Sequence, residues 1–257
     1  MRIVDTHAHM VDSAFDADRA EVLERASKRG VCAVVAVGET LADAERNLGL
    51  AEAFPILKPA AGLYPTHLDT GEADRMASWI RHRHDRLVAI GEVGLDRWVV
   101  KEEDAREIQI DIFRRFIRLA GELGLPLNVH SRSAGREAVR LLLEEGAQKV
   151  QLHAFDGKAG SALPGVEAGF FFSIPPSVVR SRQKQKLVSR LPLSSLLVET
   201  DSPVLGASPE ERNEPANARV VVEAVSEIKG LSREEVAETL LENTCRLFGK
   251  SILETSP

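Results

Sequence analysis

Six side chains of the types that hold divalent metal ions stand directly at the ends of short apolar runs: His7, His9, Glu92, His130, His153 and Asp201. His7 and His9 are two apart in Asp5-Thr6-His7-Ala8-His9, so in extended backbone their imidazoles point the same way and can share one ion. Glu92 lies in Ile90-Gly91-Glu92-Val93-Gly94, His130 in Asn128-Val129-His130-Ser131-Arg132, His153 in Leu152-His153-Ala154-Phe155 and Asp201 in Glu199-Thr200-Asp201-Ser202-Pro203. Imidazole nitrogens and carboxylates in one pocket suit zinc, manganese, nickel or iron, and this set is large enough for two ions sharing a bridging carboxylate. Two such ions activate water for hydrolysis. Of the other histidines, His82 and His84 sit in the basic stretch Trp79 to His84, which reads as a solvated helix end favoured by the helix dipole. His67, in Gly62-Leu63-Tyr64-Pro65-Thr66-His67, is a substrate-side candidate.

These residues act together only if the fold gathers them. Eight apolar, β-branched runs recur: 2–5, 31–37, 57–61, 87–90, 127–129, 150–152, 169–173 and 196–198. Between them, residues 19–29, 41–54, 74–84, 103–123 and 136–145 carry apolar side chains at helical spacing. Gly30, Gly124 and Gly146 fall just past three of these segments, where a left-handed cap commonly sits. Strands alternating with helices in this number predict a TIM-type (β/α)8 barrel, and no glycine fingerprint after the first strand argues for an open nucleotide-binding sheet. The expectation is one domain over residues 1–257, with a polar loop from Ser202 to Pro215 and two C-terminal helices, 216–229 and 232–249. Ser232 and Glu235 read as a capping box for the second. In a barrel the C-terminal strand ends form one mouth, so the six ligand-type residues should converge there.

Composition excludes several classes. With 44% apolar and 28% charged residues, the chain reads as a folded protein with a real core. A net charge of −6 argues against a broad basic face that grips nucleic acid by phosphate neutralisation. It leaves a phosphodiester substrate open, because bound cations can reverse the potential of a site. The opening Met-Arg-Ile-Val-Asp is unlike a signal peptide, and no run approaches a membrane span; a cytoplasmic protein without membrane contact is expected. Cys32 and Cys245 lie far apart in apolar runs and read as buried free thiols.

With these residues assembled, the chain resembles the TatD-type metal-dependent deoxyribonucleases of the amidohydrolase superfamily. The resemblance spans nearly the whole chain. It is carried by Asp5 to His9, Gly91 to Asp96, Gln109 through Leu125-Pro126 to Arg132, His153 to Gly157, Glu199 to Pro203 and Asn213-Glu214-Pro215. It implies a TIM-type barrel and metal-dependent hydrolysis of phosphodiester bonds in DNA, often from the 3′ end. Carried over by position, it implies that His7, His9 and Asp201 hold one metal, His130 and His153 a second, and Glu92 bridges them. Two divalent ions, zinc, magnesium or manganese, and single-stranded DNA or 3′ ends as substrate are expected, with no obligate protein partner. The chain departs from the family pattern at Tyr64, Ala154 and Asp156, which touch the rim and not the ligand set.

The expected mechanism uses a hydroxide generated on the ions as nucleophile. Glu92 and Asp201 are the expected catalytic residues, with Asp201 orienting the water, taking its proton and passing it to the leaving oxygen. Arg132, Tyr64 and His67 are expected to contact substrate, while Asp5 and Asp96 orient ligand imidazoles. Arg97 and Trp98 offer a charge and a stacking surface beside Arg132. Ser131 and Ser202 lie near the mouth, but the histidines that would activate them are committed to metal. Two other functions fit the same residues: a lactonase or amidase acting on a small molecule, and a non-catalytic, metal-stabilised binding module.

Overall fold

In the computed structural model, which describes residues 1–254, the eight apolar runs form eight parallel strands. These are β1 (Ile3–Ala8), β2 (Val31–Ala36), β3 (Leu57–Ala61), β4 (Ala89–Gly94), β5 (Leu127–His130), β6 (Val150–Leu152), β7 (Phe171–Ile174) and β8 (Leu196–Val198). Each pairs with the next in chain order. The β8–β1 seam is drawn together at the rim, where Asp201 N–H donates to the His7 carbonyl at 2.9 Å and His9 N–H to the Ser202 carbonyl at 2.8 Å. Lower down, Thr6 Oγ1 donates to the Val198 carbonyl at 2.7 Å, supplying a hydrogen bond from a side chain where the ladder has none.

The helices are α1 (Arg19–Lys28), α2 (Leu41–Ala53), α3 (Thr70–Arg83), α4 (Glu103–Leu123), α5 (Gly135–Glu144), α6 (Ala159–Glu167), α7 (Arg182–Arg190), α8 (Ala218–Lys229) and α9 (Arg233–Phe248). None among the described residues is long and apolar enough to cross a membrane. The strands read as continuous apolar runs because both faces are covered. In β2, Val34 and Ala36 join the cluster packed under the helices. Ala33 and Val35, with Val37 just beyond, join Val4, Ala60 and Ala89 in the lumen. The turn after α9 plugs the floor with Ile252, and Lys58 Nζ donates to the Glu254 carbonyl at 2.5 Å. Cys32 and Cys245 lie in this floor cluster as free thiols, half-buried and not fully buried as expected.

Two strands run further than their apolar residues indicate. β1 extends through His7 to Ala8, and β4 starts at Ala89 and continues through Glu92 to Gly94. Polar and glycine residues that read as loop signals are here paired on both sides. The β4 register shifts between Ile90 and Val93, a bulge of the kind that re-aims side chains at barrel rims. Gly94 has φ +145°, and a Cβ there would lie 2.1 Å from the His130 carbonyl oxygen. At Gly91 a Cβ would lie 2.6 Å from that of Asn128. Close approach of β4 to β5 therefore requires both glycines.

Two helices escape sequence reading. α6 contains Pro164 and buries only Ala162 and Gly165, and α7 buries only Leu187 and Val188. Neither shows enough of an apolar face, so tertiary packing decides them. α3 begins a turn earlier than expected because the Asp69 carboxylate accepts from Gly71 and Glu72 N–H. Gly30, Gly124 and Gly146 all take the positive φ expected of them, and Ser232 caps α9 by accepting from Glu235 N–H.

The two glycine roles should separate in urea denaturation. Gly124→Ala, whose Cβ meets nothing within 4 Å, should cost about 1–2 kcal/mol of backbone strain. Gly94→Ala should cost more than ~3 kcal/mol, because it adds a backbone clash to a strained φ; equal losses would refute this reading of β4.

Candidate metal centre

The six ligand-type side chains converge at the C-terminal mouth of the barrel in two groups. In the first, His7 Nε2 and His9 Nε2 are 3.3 Å apart, and Asp201 Oδ1 is 3.4 Å from each. Glu92 Oε2 completes it at 3.7 Å from His7 and 3.3 Å from His9. In the second, the other Glu92 oxygen, Oε1, lies 2.6 Å from His130 Nδ1 and 2.7 Å from His153 Nε2. Those two nitrogens are 3.1 Å apart. The groups touch through the His7 and His153 rings, stacked at 3.9 Å.

The distances of the first group fit metal binding, while those of the second are at hydrogen-bond length. For bonds of about 2.0–2.1 Å the edges of a tetrahedron measure about 3.4 Å, the spacing of the first group. Glu92 Oε2 is buried and has no hydrogen-bond donor, a costly state for a carboxylate unless a cation faces it. Burial by itself would favour neutral Glu92 and Asp201, but the surrounding imidazoles outweigh it and hold both below the usual carboxylate range. Burial likewise acts to lower His9, and the Asp201 and Glu92 carboxylates override it and hold His9 well above the ordinary histidine value. His153 is the exception: burial and the nearby His7 push it down to about 4, leaving a neutral ring with a free lone pair.

A polar layer beneath the groups sets their orientation. Asn128 Oδ1 accepts from His7 Nδ1 at 2.9 Å, while Asn128 Nδ2 donates to the Thr6 carbonyl at 3.0 Å. The amide thereby selects the His7 tautomer that turns Nε2 toward the mouth. Asp96 Oδ2 lies 3.2 Å from His130 Nε2. Asp5 does something other than the expected orientation of an imidazole. It accepts from Thr200 Oγ1 at 2.5 Å, Thr200 N–H at 2.8 Å and His7 N–H at 3.3 Å, bolting the Asp201 loop to β1. Burial still raises its carboxyl to about 7. Asp201 itself has φ +54°, a left-handed conformation that aspartate tolerates better than most residues.

The mouth is a cavity of about 490 Å³ whose lining includes His9, Glu39, Tyr64, Arg132, Asp156, Lys184 and Asp201. Tyr64 stands edge-on to the His130 ring at 5.1 Å, and burial together with nearby carboxylates holds its hydroxyl above the usual tyrosine range. Arg132 is exposed and its guanidinium lies 5.2 Å from the Trp98 ring. His67 is not among the residues that line the cavity; its Nδ1 is 3.3 Å from Glu72 at the start of α3. His82 and His84 are exposed and bond main-chain carbonyls. Ser131 lines the cavity with a buried, unpartnered hydroxyl, and Ser202 Oγ donates to Thr200 Oγ1.

Sequence reasoning passes over Asn128, Lys184 and Glu199. Lys184 comes from α7 and donates to the Ala154 carbonyl at 3.1 Å, while Glu199 Oε1 accepts from Ala154 N–H at 2.8 Å. The peptide at Ala154, φ +40°, is held from both sides. Burial raises Glu199 to about 7. Glu199 and Asn128 each lie two residues before a recognised ligand, inside the segment that carries it, and that placement is their only signal in the chain.

The model of the family described as TatD related DNase matches residues 4–249. The chain belongs to this family. Human deoxyribonuclease TATDN3 is 46% identical over 261 residues, covering 96% of this chain and 95% of the relative. The uncharacterized metal-dependent hydrolase YabD of Bacillus subtilis is 35% identical, covering 96% of this chain and 98% of its own. Among solved structures, the TatD homologue YjjV of Escherichia coli superposes with a TM-score of 0.88 at 28% identity, covering 96% and 98%. The (β/α)8 expectation and the TatD resemblance therefore both hold.

Because Asn128 orients His7, Asn128→Ala should weaken binding of zinc or manganese about 10- to 100-fold, read by competition with a chromogenic chelator. Unchanged affinity in a folded variant would remove Asn128 from the site.

Proposed function

We propose that this chain is a metal-dependent deoxyribonuclease that removes nucleotides from the 3′ end of single-stranded DNA. The observation that carries this reading is the division of the Glu92 carboxylate, one oxygen toward His7, His9 and Asp201 and the other toward His130 and His153. In this reading His7, His9 and Asp201 hold one divalent ion, His130 and His153 a second, and Glu92 serves both. The imidazole-rich set favours zinc or manganese over magnesium. When bound, the ions supply Lewis-acid polarisation of the phosphoryl group and activate water to hydroxide.

The chain's own residues do the rest. Asp201, kept ionised by His7 and His9, orients the attacking water, accepts its proton as the new phosphorus–oxygen bond forms, and returns it to the leaving oxygen as the old bond breaks. Arg132 and Lys184, which line the mouth, offset the substrate charge, and the planar Arg132 fork suits two phosphate oxygens. Tyr64, against His130, limits the space beside the second group. The names of the relatives, human TATDN3 among them, support DNA as the substrate.

The reaction to measure is shortening of single-stranded DNA of defined 3′ end with magnesium, manganese or zinc. Stepwise shortening is expected, abolished by EDTA and reduced about 10²–10⁴-fold in kcat by Asp201→Asn. Absence of cleavage by folded, metal-loaded protein would send the search to lactones and amides, and an active Asp201→Asn variant would reassign the proton carrier.

A further inference from the structure

Beside the mouth, Trp98 is 58% exposed and Val99 54%, two adjacent apolar side chains left uncovered next to the site. The loop that carries them is not slack. Asp96 Oδ1 accepts from both Trp98 N–H and Val99 N–H at 2.8 Å, while its other oxygen meets His130 Nε2 at 3.2 Å. Arg97 N–H donates to the Arg132 carbonyl at 2.9 Å. The Arg97 guanidinium, only 9% exposed, is held by Glu137 of α5 at 2.7 and 2.8 Å and donates to Gln109 of α4 at 3.0 Å. One carboxylate thus registers the indole loop against a ring of the metal centre, and the Arg97 peptide registers it against Arg132.

The charges around the indole point to its occupant. The Arg132 guanidinium and the Lys101 ammonium lie over the Trp98 ring, 5.2 and 5.3 Å from its centroid, and leave Trp98 58% exposed. Arg132 is exposed and lines the same cavity as Glu92, His130 and Asp201. An exposed aromatic face flanked by cations is the combination that holds an unstacked nucleobase and its phosphate. We infer that Trp98 is a base-stacking platform for the nucleotide neighbouring the scissile phosphodiester, with Arg132 holding that nucleotide's phosphate. The platform selects single-stranded or frayed ends, because a base inside a duplex offers no free face. This rests on the deoxyribonuclease reading for the identity of its ligand.

The test uses fluorescence and affinity as well as turnover. The chain has two tryptophans, and Trp79 is 8% exposed, so quenching by an added ligand reports Trp98. Metal-loaded protein is titrated with a thymidine tetranucleotide whose phosphorothioate linkages resist hydrolysis, and with the same strand made abasic at its 3′-terminal and penultimate positions. Saturable quenching by the first and at least fivefold weaker quenching by the second are expected. By anisotropy of labelled strands, Trp98→Ala should weaken the base-bearing strand about tenfold, Trp98→Phe should stay within twofold of the unsubstituted protein, and all three proteins should bind the abasic strand equally. Absence of quenching, or the same Trp98→Ala loss on both strands, overturns the platform. Cleavage of the unmodified strand without quenching removes the platform and keeps the nuclease; quenching without cleavage keeps the platform and removes the nuclease.

Discussion

A carboxylate buried to 1% exposure and shared by four imidazoles is the constraint around which this barrel is arranged. Holding Glu92 ionised out of water carries a desolvation penalty of several kcal/mol, so every group near it must favour negative charge or be kept away. The imidazoles of His7, His9, His130 and His153 meet that demand at 2.6–3.7 Å. Their own placement then sets the requirements on the strands. β4 is bulged beside Glu92 and carries glycines where it nears β5, because a Cβ at either would strike Asn128 or the His130 backbone.

The layer below the centre is polar where a barrel core is usually apolar. Thr6, Asn128, Gln151, Ser173 and Glu199 form a chain of hydrogen bonds across the lumen. Below them the lumen turns apolar, through Val4, Ala33, Val35, Ala60 and Ala89 to the Ile252 plug. The division matches the demands on each end: the floor is held by burial of apolar surface, and the upper layer holds imidazoles and a strained loop in one orientation. Closing the β1–β8 seam serves the same end, since Asp5 and the His7 carbonyl anchor the loop that carries Asp201.

A net charge of −6 and a mouth lined by Glu39, Glu92, Asp156 and Asp201 are a poor match for a polyanion. The two proposed divalent ions change that sign where the phosphate would sit, and Arg132 and Lys184 extend the cationic field along the rim. In the proposed reading, substrate binding and metal binding are coupled by electrostatics.

The chain by itself determined the barrel and the six converging residues. Parallel strands covered on both faces must be continuous apolar runs, and ligand-type residues at the ends of such runs must meet at the C-terminal mouth. Expected strand and helix limits agree with the observed ones where apolar periodicity is strong, as in α4. Tertiary structure decided what local signals do not encode. α6 and α7 exist through packing against their neighbours, so Lys184 could not be placed from the sequence. Asn128, Asp5 and Glu199 acquire their roles from partners up to 195 residues away, and His67 gains a partner in Glu72 that its sequence position does not announce. Which residues can bind an ion is a matter of side-chain chemistry and period. Which way each one faces depends on hydrogen bonds that form only after the strands have closed.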